Sequence, residues 1–409
     1  MSTTIETAIP KQQERPTRQP SQRLESLDVF RGLTIAGMVL VNDPGTWSAI
    51  YWPLAHADEL MTEHPTGWYP GKLWVDFNGW TPTDLIFPFF PFIVGVSMVL
   101  SFAARQARGD SPRELLKHAI RRSAWILLIG WFIHLQPYFD FSRMRIPGVL
   151  TRIAVVYLCA SIITLRTAQR GRIGWIAGLL AGYYLAMRFI PVPGCDPSSW
   201  MTQHCSLAGW LDRKMMSGHL YRQDFDPEGL LSTFPAIATT LLGTLVGQFL
   251  RGSASSKQAT LNQKARRLVV FGLVGVATGY IWHLFFPIYK PLWTSSYVLF
   301  TAGAGCLLLA VCVWLIDMRG WRAWGKPFLW LGSNALLIYA LSTFFSKEGF
   351  IFKVTDNGRV IGVQGWIYRH WFAPFAQPIN ASLAFAICYV LLWTVVAWAL
   401  YWKKIFVKV

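Results

Sequence analysis

Apolar residues recur along this chain in blocks of about 20, the length an α-helix needs to cross the hydrocarbon core of a bilayer. The blocks fall near residues 28–43, 83–104, 116–136, 149–166, 172–191, 229–250, 267–287, 293–316, 327–346 and 380–402. Hydrophobic residues make up 53% of the 409 residues and charged residues only 14%, too little polar surface to cover so many blocks in water. In lipid every backbone N–H and C=O must find a partner within the protein, which leaves helices as the solution for segments of this length. The expected fold class is therefore all-α: a polytopic integral membrane helical bundle of about ten transmembrane helices.

The charges say how such a bundle is oriented. The formal net charge is +17, but the basic residues sit in the short gaps between apolar blocks. Lys11, Arg15, Arg18 and Arg23 precede the first block, while Glu59, Glu63 and Asp76 dominate the next gap. Arg105, Arg108, Arg113 and Lys117 follow the second block, and the alternation continues through Arg166–Arg172, Arg251–Arg267, Arg319–Lys326 and the terminal lysines. Every second gap is basic, which by the positive-inside rule places both termini in the cytoplasm. The pattern describes topology and gives no basic face for nucleic acid. Residues 1–26 are polar and rich in Gln and Pro, and read as a disordered cytoplasmic tail; residues 27–409 read as one transmembrane domain.

The outward side then receives the loops 44–82, 137–148, 192–228, 288–292 and 347–379, several of them long and rich in Trp, Pro, Gly and Asp. Cys195 and Cys205 share one of these loops, and in the oxidising compartment outside a bacterial inner membrane they are expected to pair. Cys159, Cys306, Cys312 and Cys388 lie within apolar blocks and read as small buried residues. The segment 363–375, VQGWIYRHWFAPF, suits an interfacial or re-entrant helix.

Polar residues within or beside the apolar blocks are the candidates for chemistry. Residues 79–100, GWTPTDLIFPFFPFIVGVSMVL, place Thr81, Thr83 and Asp84 at the mouth of a membrane helix that also holds Pro82, Pro88 and Pro91. A carboxylate there either caps the helix or serves a site. Asp28 and Arg31 lie three apart on one helical face, where an ion pair that packs helices is the simpler reading. Asn42 and Asp43 end the first block, and His56 lies between them and Asp84. There is no GxGxxG after a strand, no P-loop, no GxSxG and no Cys/His grouping with zinc spacing, so neither a nucleotide fold nor a metal site is expected.

The run LDVFRGLTIAGMVLVNDPG at 27–45, a following histidine, and GWTPTDLIFPFFPFIVGVS resemble the heparan-α-glucosaminide N-acetyltransferase family and its bacterial relatives, within the transmembrane acyltransferase superfamily. RIPGVLTRIAVVYL at 145–158, DPEGLLSTFPAIATTLLG at 226–243, PLWTSSYVLFTAG at 291–303 and PFLWLGSNALLIYALS at 327–342 extend the resemblance over nearly the whole chain after Arg23. It implies transfer of an acetyl group from cytosolic acetyl-CoA to an amino sugar or other glycan on the far side of the membrane. The family's catalytic histidine falls on His56 and its nearby asparagine on Asn42. Here residues 58–78 intervene before Gly79-Trp80-Thr81, where relatives have only a few, and they hold a second candidate, His64.

Acyl transfer to an amine needs a base active near neutral pH and donors for the oxyanion that forms at the thioester carbonyl. His56 is suited to act as base, with Asp84 orienting it and Asn42 donating to the carbonyl or positioning the acceptor. A covalent relay through acetyl-His56 meets the same requirements. The CoA phosphates call for Arg or Lys near helix ends, and Arg31, Arg121, Arg122 and Arg152 are the candidates, although Arg145 and Arg152 flank one helix start and can instead face outward. Membrane lipid and a second copy of the chain are the expected partners besides the substrates. A transporter or flippase for a sugar or lipid-linked sugar is the alternative, since kinked helices and polar outward loops also suit transport.

Overall fold

The computed structural model describes residues 24–57, 79–252, 260–356 and 358–407. Of the expected tail only residues 24–26 are among these, and Glu25 and Ser26 already belong to the first helix. The insertion at 58–78, with His64, lies outside the described residues.

The described chain is 70% helix, in thirteen α-helices. They are α1 (Glu25–Asn42), α2 (Ile86–Gln106), α3 (Pro112–Leu135), α4 (Val149–Arg166), α5 (Gln169–Phe189), α6 (Leu207–Met216) and α7 (Thr233–Arg251). The second half holds α8 (Leu261–His283), α9 (Ser295–Cys312), α10 (Lys326–Ser333), α11 (Ala335–Ile351), α12 (Val363–Trp371) and α13 (Pro378–Trp402). A helix stands at each of the ten apolar blocks. Six are long and apolar enough to cross a membrane: α2 with the turn before it (Pro82–Gln106), α4, α7, α8, α9 with its π-helical end (Ser295–Met318), and α13. Among the rest, α1 carries Glu25, Asp28 and Arg31, α3 carries Arg113, Glu114, Lys117, Arg121 and Arg122, and α5 carries Arg170, Arg172 and Arg188.

Two elements depart from the sequence reading. The single span expected at 327–346 is broken into α10 and α11, bent by 83°. Asn334 stands at the break, outside helical geometry, and its side chain donates to Ile405 O at 2.9 Å and accepts from Val407 N at 2.9 Å, so the bend is tied to the C-terminal segment. A polar side chain that reaches outside its own helix offers the backbone an alternative to continuing it. In addition β1 (Lys353–Asp356) and β2 (Arg359–Gly362) form an antiparallel hairpin, Lys353 opposite Gly362 and Asp356 opposite Arg359. The segment read as an interfacial or re-entrant helix is α12, short, with Arg369 and His370 in its last turn.

The helices nearest the site pack closely because small residues let them. A Cβ on Gly95 of α2 would lie 2.0 Å from Thr240 O of α7, and one on Gly243 of α7 would lie 2.1 Å from Phe92 O of α2. Only glycine allows that approach, and with it dispersion contacts along the full pair. Cys195 and Cys205 are bonded, as their shared loop suggested. Arg145 pins the same region: its Nε and Nη2 donate to Asp226 at 2.8 and 2.6 Å, and Nη2 also to Glu228 at 2.5 Å. Burial works against the Arg145 charge, but Glu228 and Asp226 outweigh it and hold the guanidinium pKa above its ordinary value.

Candidate functional site

The TPTD sequence after Trp80 builds a clamp. Thr81 precedes a 3₁₀ turn, Pro82–Leu85, with Pro82 at a position where its missing N–H costs nothing. Thr83 Oγ1 donates to Pro53 O at 2.9 Å, and Thr81 Oγ1 lies 2.7 Å from Ala55 O. Asp84 Oδ2 accepts from Thr81 N at 3.0 Å and from Ala57 N at 3.2 Å. These bonds hold residues 53–57, which begin as a 3₁₀ turn at Trp52–Leu54, against the mouth of α2. His56 is thereby presented to the other oxygen, Asp84 Oδ1, at 2.8 Å from its Nδ1. Asp84 thus both caps and partners, one oxygen for each task.

The carboxylate is 1% exposed and the imidazole 22%, so the ring stands at an opening while its partner is sealed. An ionised carboxylate only accepts, so the Nδ1 proton points at Asp84 and Nε2 is the ring nitrogen that carries the lone pair. Tyr297, at the start of α9, donates to the backbone O of Asp84 at 2.6 Å and fixes the turn from below.

A third side chain, which sequence reasoning missed, completes the group. Lys290 Nζ lies 2.9 Å from His56 Nδ1, 3.1 Å from His56 Nε2 and 3.6 Å from Asp84 Oδ1. It comes from the loop between α8 and α9, where Trp293 N donates back to Lys290 O at 2.9 Å. Two signals were available: Lys290 immediately precedes the PLWTSSYVLFTAG motif, and it is a cation in a short loop assigned to the outer side, against the charge bias.

Trp293 of the same loop is fully buried between Phe87 at 5.1 Å and Tyr297 at 5.4 Å. Its indole donates to Thr239 Oγ1 at 3.2 Å, and the Arg152 guanidinium lies 4.9 Å from its ring centre. Arg152 therefore sits beside the loop that carries Lys290, near the start of α4. It donates to Gly229 O at 3.2 Å and to Ser232 Oγ, while its Nε and Nη1 have no hydrogen-bond partner among the described residues.

The other candidates are dispersed. Asn42 is exposed at the end of α1, and among the described residues no hydrogen bond or ion pair joins it to His56 or Asp84. Arg31 is engaged in packing: it meets Asp28 at 3.0 Å, Ser97 Oγ at 2.6 Å and Gly332 O at 3.4 Å, tying α1 to α2 and α10. Arg121 is exposed on α3, and Arg122 lies 5.0 Å over the Tyr157 ring of α4. No group of three or more His, Cys, Asp or Glu among the described residues is placed to hold a metal ion.

The polar clamp, the buried acid and the histidine it orients all lie within the part of the chain that matches a family model. The model is that of the heparan-alpha-glucosaminide N-acetyltransferase catalytic region, and it matches residues 23–287. This chain belongs to that family. It is similar to the heparan-alpha-glucosaminide N-acetyltransferase of Mus musculus, 28% identical with 97% of this chain and 62% of the relative covered. The Homo sapiens protein of the same name is 29% identical, with 95% and 60% covered. The chain spans about three-fifths of the length of these relatives. The family match ends at residue 287, three residues before Lys290, whereas the alignments to both relatives cover nearly the whole chain.

Proposed function

We propose that this protein is a membrane-embedded acetyltransferase that moves an acetyl group from cytosolic acetyl-CoA to an amino sugar, or another glycan, on the extracytoplasmic side. The observation that carries the reading is the His56–Asp84 pair with Lys290 against it, in a chain of the acetyltransferase family. We take residues 27–409 as one transmembrane acyltransferase domain of ten spans, α1, α3, α5 and the bent α10–α11 pair included, with both termini and the tail 1–26 cytoplasmic. A bacterial inner membrane is the setting.

In this reading Nε2 of His56 removes a proton from the acceptor amine as its nitrogen attacks the thioester carbonyl. The N–C bond forms and the carbonyl oxygen becomes an oxyanion. The C–S bond then breaks, and the proton on His56 passes to the departing sulfur, so that free CoA thiol and the acetamide leave. Lys290 is the donor best placed to stabilise the oxyanion, with Asn42 assigned to the acceptor side. The donor phosphates are assigned to arginines among Arg31, Arg121, Arg122 and Arg152, of which Arg152 has free N–H groups and stands nearest the Lys290 loop.

The test uses the full chain in proteoliposomes supplied with acetyl-CoA outside and glucosamine inside. Release of free CoA thiol with formation of the N-acetyl sugar is the expected result. Movement of unchanged glucosamine with no thiol released would establish a transporter in its place.

A further inference from the structure

A cavity lined mainly by α7, α8 and α9 has no part in the chemistry above. Its volume is about 770 Å³ and it opens between α7 and α8, with α9 and Phe92 of α2 as its floor. Both helices pack on α9 and meet each other through Phe249 and Phe271, whose ring centres are 5.4 Å apart. The walls are apolar for most of their length, through Leu242, Leu245, Val246, Phe271, Val274 and Leu299. Charge is found at one end alone, where Arg251, Arg267, Gln169 and Gln248 gather.

Arg251 and Arg267 are both exposed and have no carboxylate partner among the described residues. Behind them Arg172 donates to Gln248 Oε1 at 2.6 Å. The apolar walls run from Arg251 back to Leu242 on α7 and from Arg267 to Thr278 on α8. At about 1.5 Å per residue these are roughly 14 and 16 Å, the depth of one leaflet of a bilayer core about 30 Å thick. A cleft with two arginines at the headgroup end and one leaflet of apolar wall below matches an anionic amphiphile in both charge and length.

We propose that this cleft is a specific site for an anionic phospholipid, its phosphate held by Arg251 and Arg267 and an acyl chain lying between α7 and α8. The site also borders the catalytic turn. Two residues beyond Thr278, the Tyr280 hydroxyl accepts from Trp80 Nε1 at 3.2 Å, and the Phe300 ring lies against Trp80, tilted by 52° with ring centres 4.6 Å apart. Trp80 directly precedes Thr81 of the clamp, so a lipid that fixes α8 also fixes Trp80.

Full-length protein is transferred to nanodiscs of phosphatidylcholine containing a minority of phosphatidylglycerol, and retained lipid is read by native mass spectrometry. Wild type is expected to retain phosphatidylglycerol over phosphatidylcholine by about 5-fold for each arginine, roughly 25-fold for the pair. Arg251→Gln with Arg267→Gln loses that preference, whereas Arg108→Gln, at an exposed position just after α2, keeps it. Val274→Trp, which fills the apolar bed from an exposed position and spares both arginines, lowers retention of either lipid. Equal retention of phosphatidylglycerol in wild type and the double variant overturns the proposal, as does its displacement from wild type by free CoA, which would make the cleft a nucleotide site. Because the readout is bound lipid, it stands or falls apart from the acetyltransferase assay.

Discussion

Lys290 Nζ is almost equidistant from the two ring nitrogens of His56, at 2.9 and 3.1 Å. The nitrogen lone pairs and N–H bonds lie in the ring plane and diverge, so an ammonium in this position lies over the ring and along neither of them. The Nδ1 direction is in any case taken by Asp84. The charge of Lys290 is thus balanced by Asp84, at 3.6 Å, while its nitrogen stays beside the edge of the ring that carries Nε2.

Removing the ammonium should therefore weaken the chemistry and leave the fold intact. Lys290→Met is expected to lower kcat about 10²-fold, the effect of losing one oxyanion donor, with KM for acetyl-CoA little changed. Lys290→Arg should recover part of the loss because it keeps a cation there. Steady-state kinetics on the two variants checks this, and a KM effect without a kcat effect would assign Lys290 to binding.

His56→Ala is expected to cost about 10²–10⁴-fold in acetyl transfer while acetyl-CoA still binds. His64→Ala should be nearly silent. Asp84→Asn loses the partner that fixes the Nδ1 proton as well as an acceptor in the clamp, so it should fall between these and shift the pH dependence of the rate. Rates and acetyl-CoA binding measured side by side check the order; the reverse order for the two histidines would move the base to His64.

Opening the Cys195–Cys205 loop should be felt in stability. Cys195→Ser with Cys205→Ser removes a cross-link of sequence separation 10 and is expected to destabilise the region around it by about 2–3 kcal/mol. Thermal unfolding of the variant, and of wild type with and without a reductant, would show it as a lowered midpoint common to both treatments.

Asp212 gives the region after this loop a pH signature. It is buried on α6 and accepts from Leu230 N at 2.9 Å. Burial pushes its carboxyl from 3.8 up to about 7, with the Leu230 hydrogen bond pulling the other way. Between 3.8 and about 7 the folded protein holds a proton that the unfolded chain has released, so the contribution of Asp212 to stability falls as pH rises through that window and is level above it. The slope approaches about 1.4 kcal/mol per pH unit at its steepest. Asp212→Asn should flatten it, as unfolding midpoints of both proteins across that pH range will show.

Much of this protein is written locally. A helix stands at every apolar block because a segment of about 20 apolar residues has one way to satisfy its backbone in lipid. Asp84 and His56 were legible because a carboxylate at a membrane helix mouth and a histidine in a family motif each carry a local signal, and Cys195 and Cys205 because they share one short loop. What the sequence left open depended on residues far apart in the chain. The bend at Asn334 is held by the backbone of Ile405 and Val407, and Arg31 is engaged by Ser97 and Gly332 as well as its neighbour Asp28. Lys290, 234 residues from His56, reaches the ring only because α8 and α9 pack so as to bring their connecting loop to the mouth of α2. Periodicity and composition report what a segment meets as solvent; which side chains meet across the bundle is set by the packing of whole helices, and only the tertiary structure contains it.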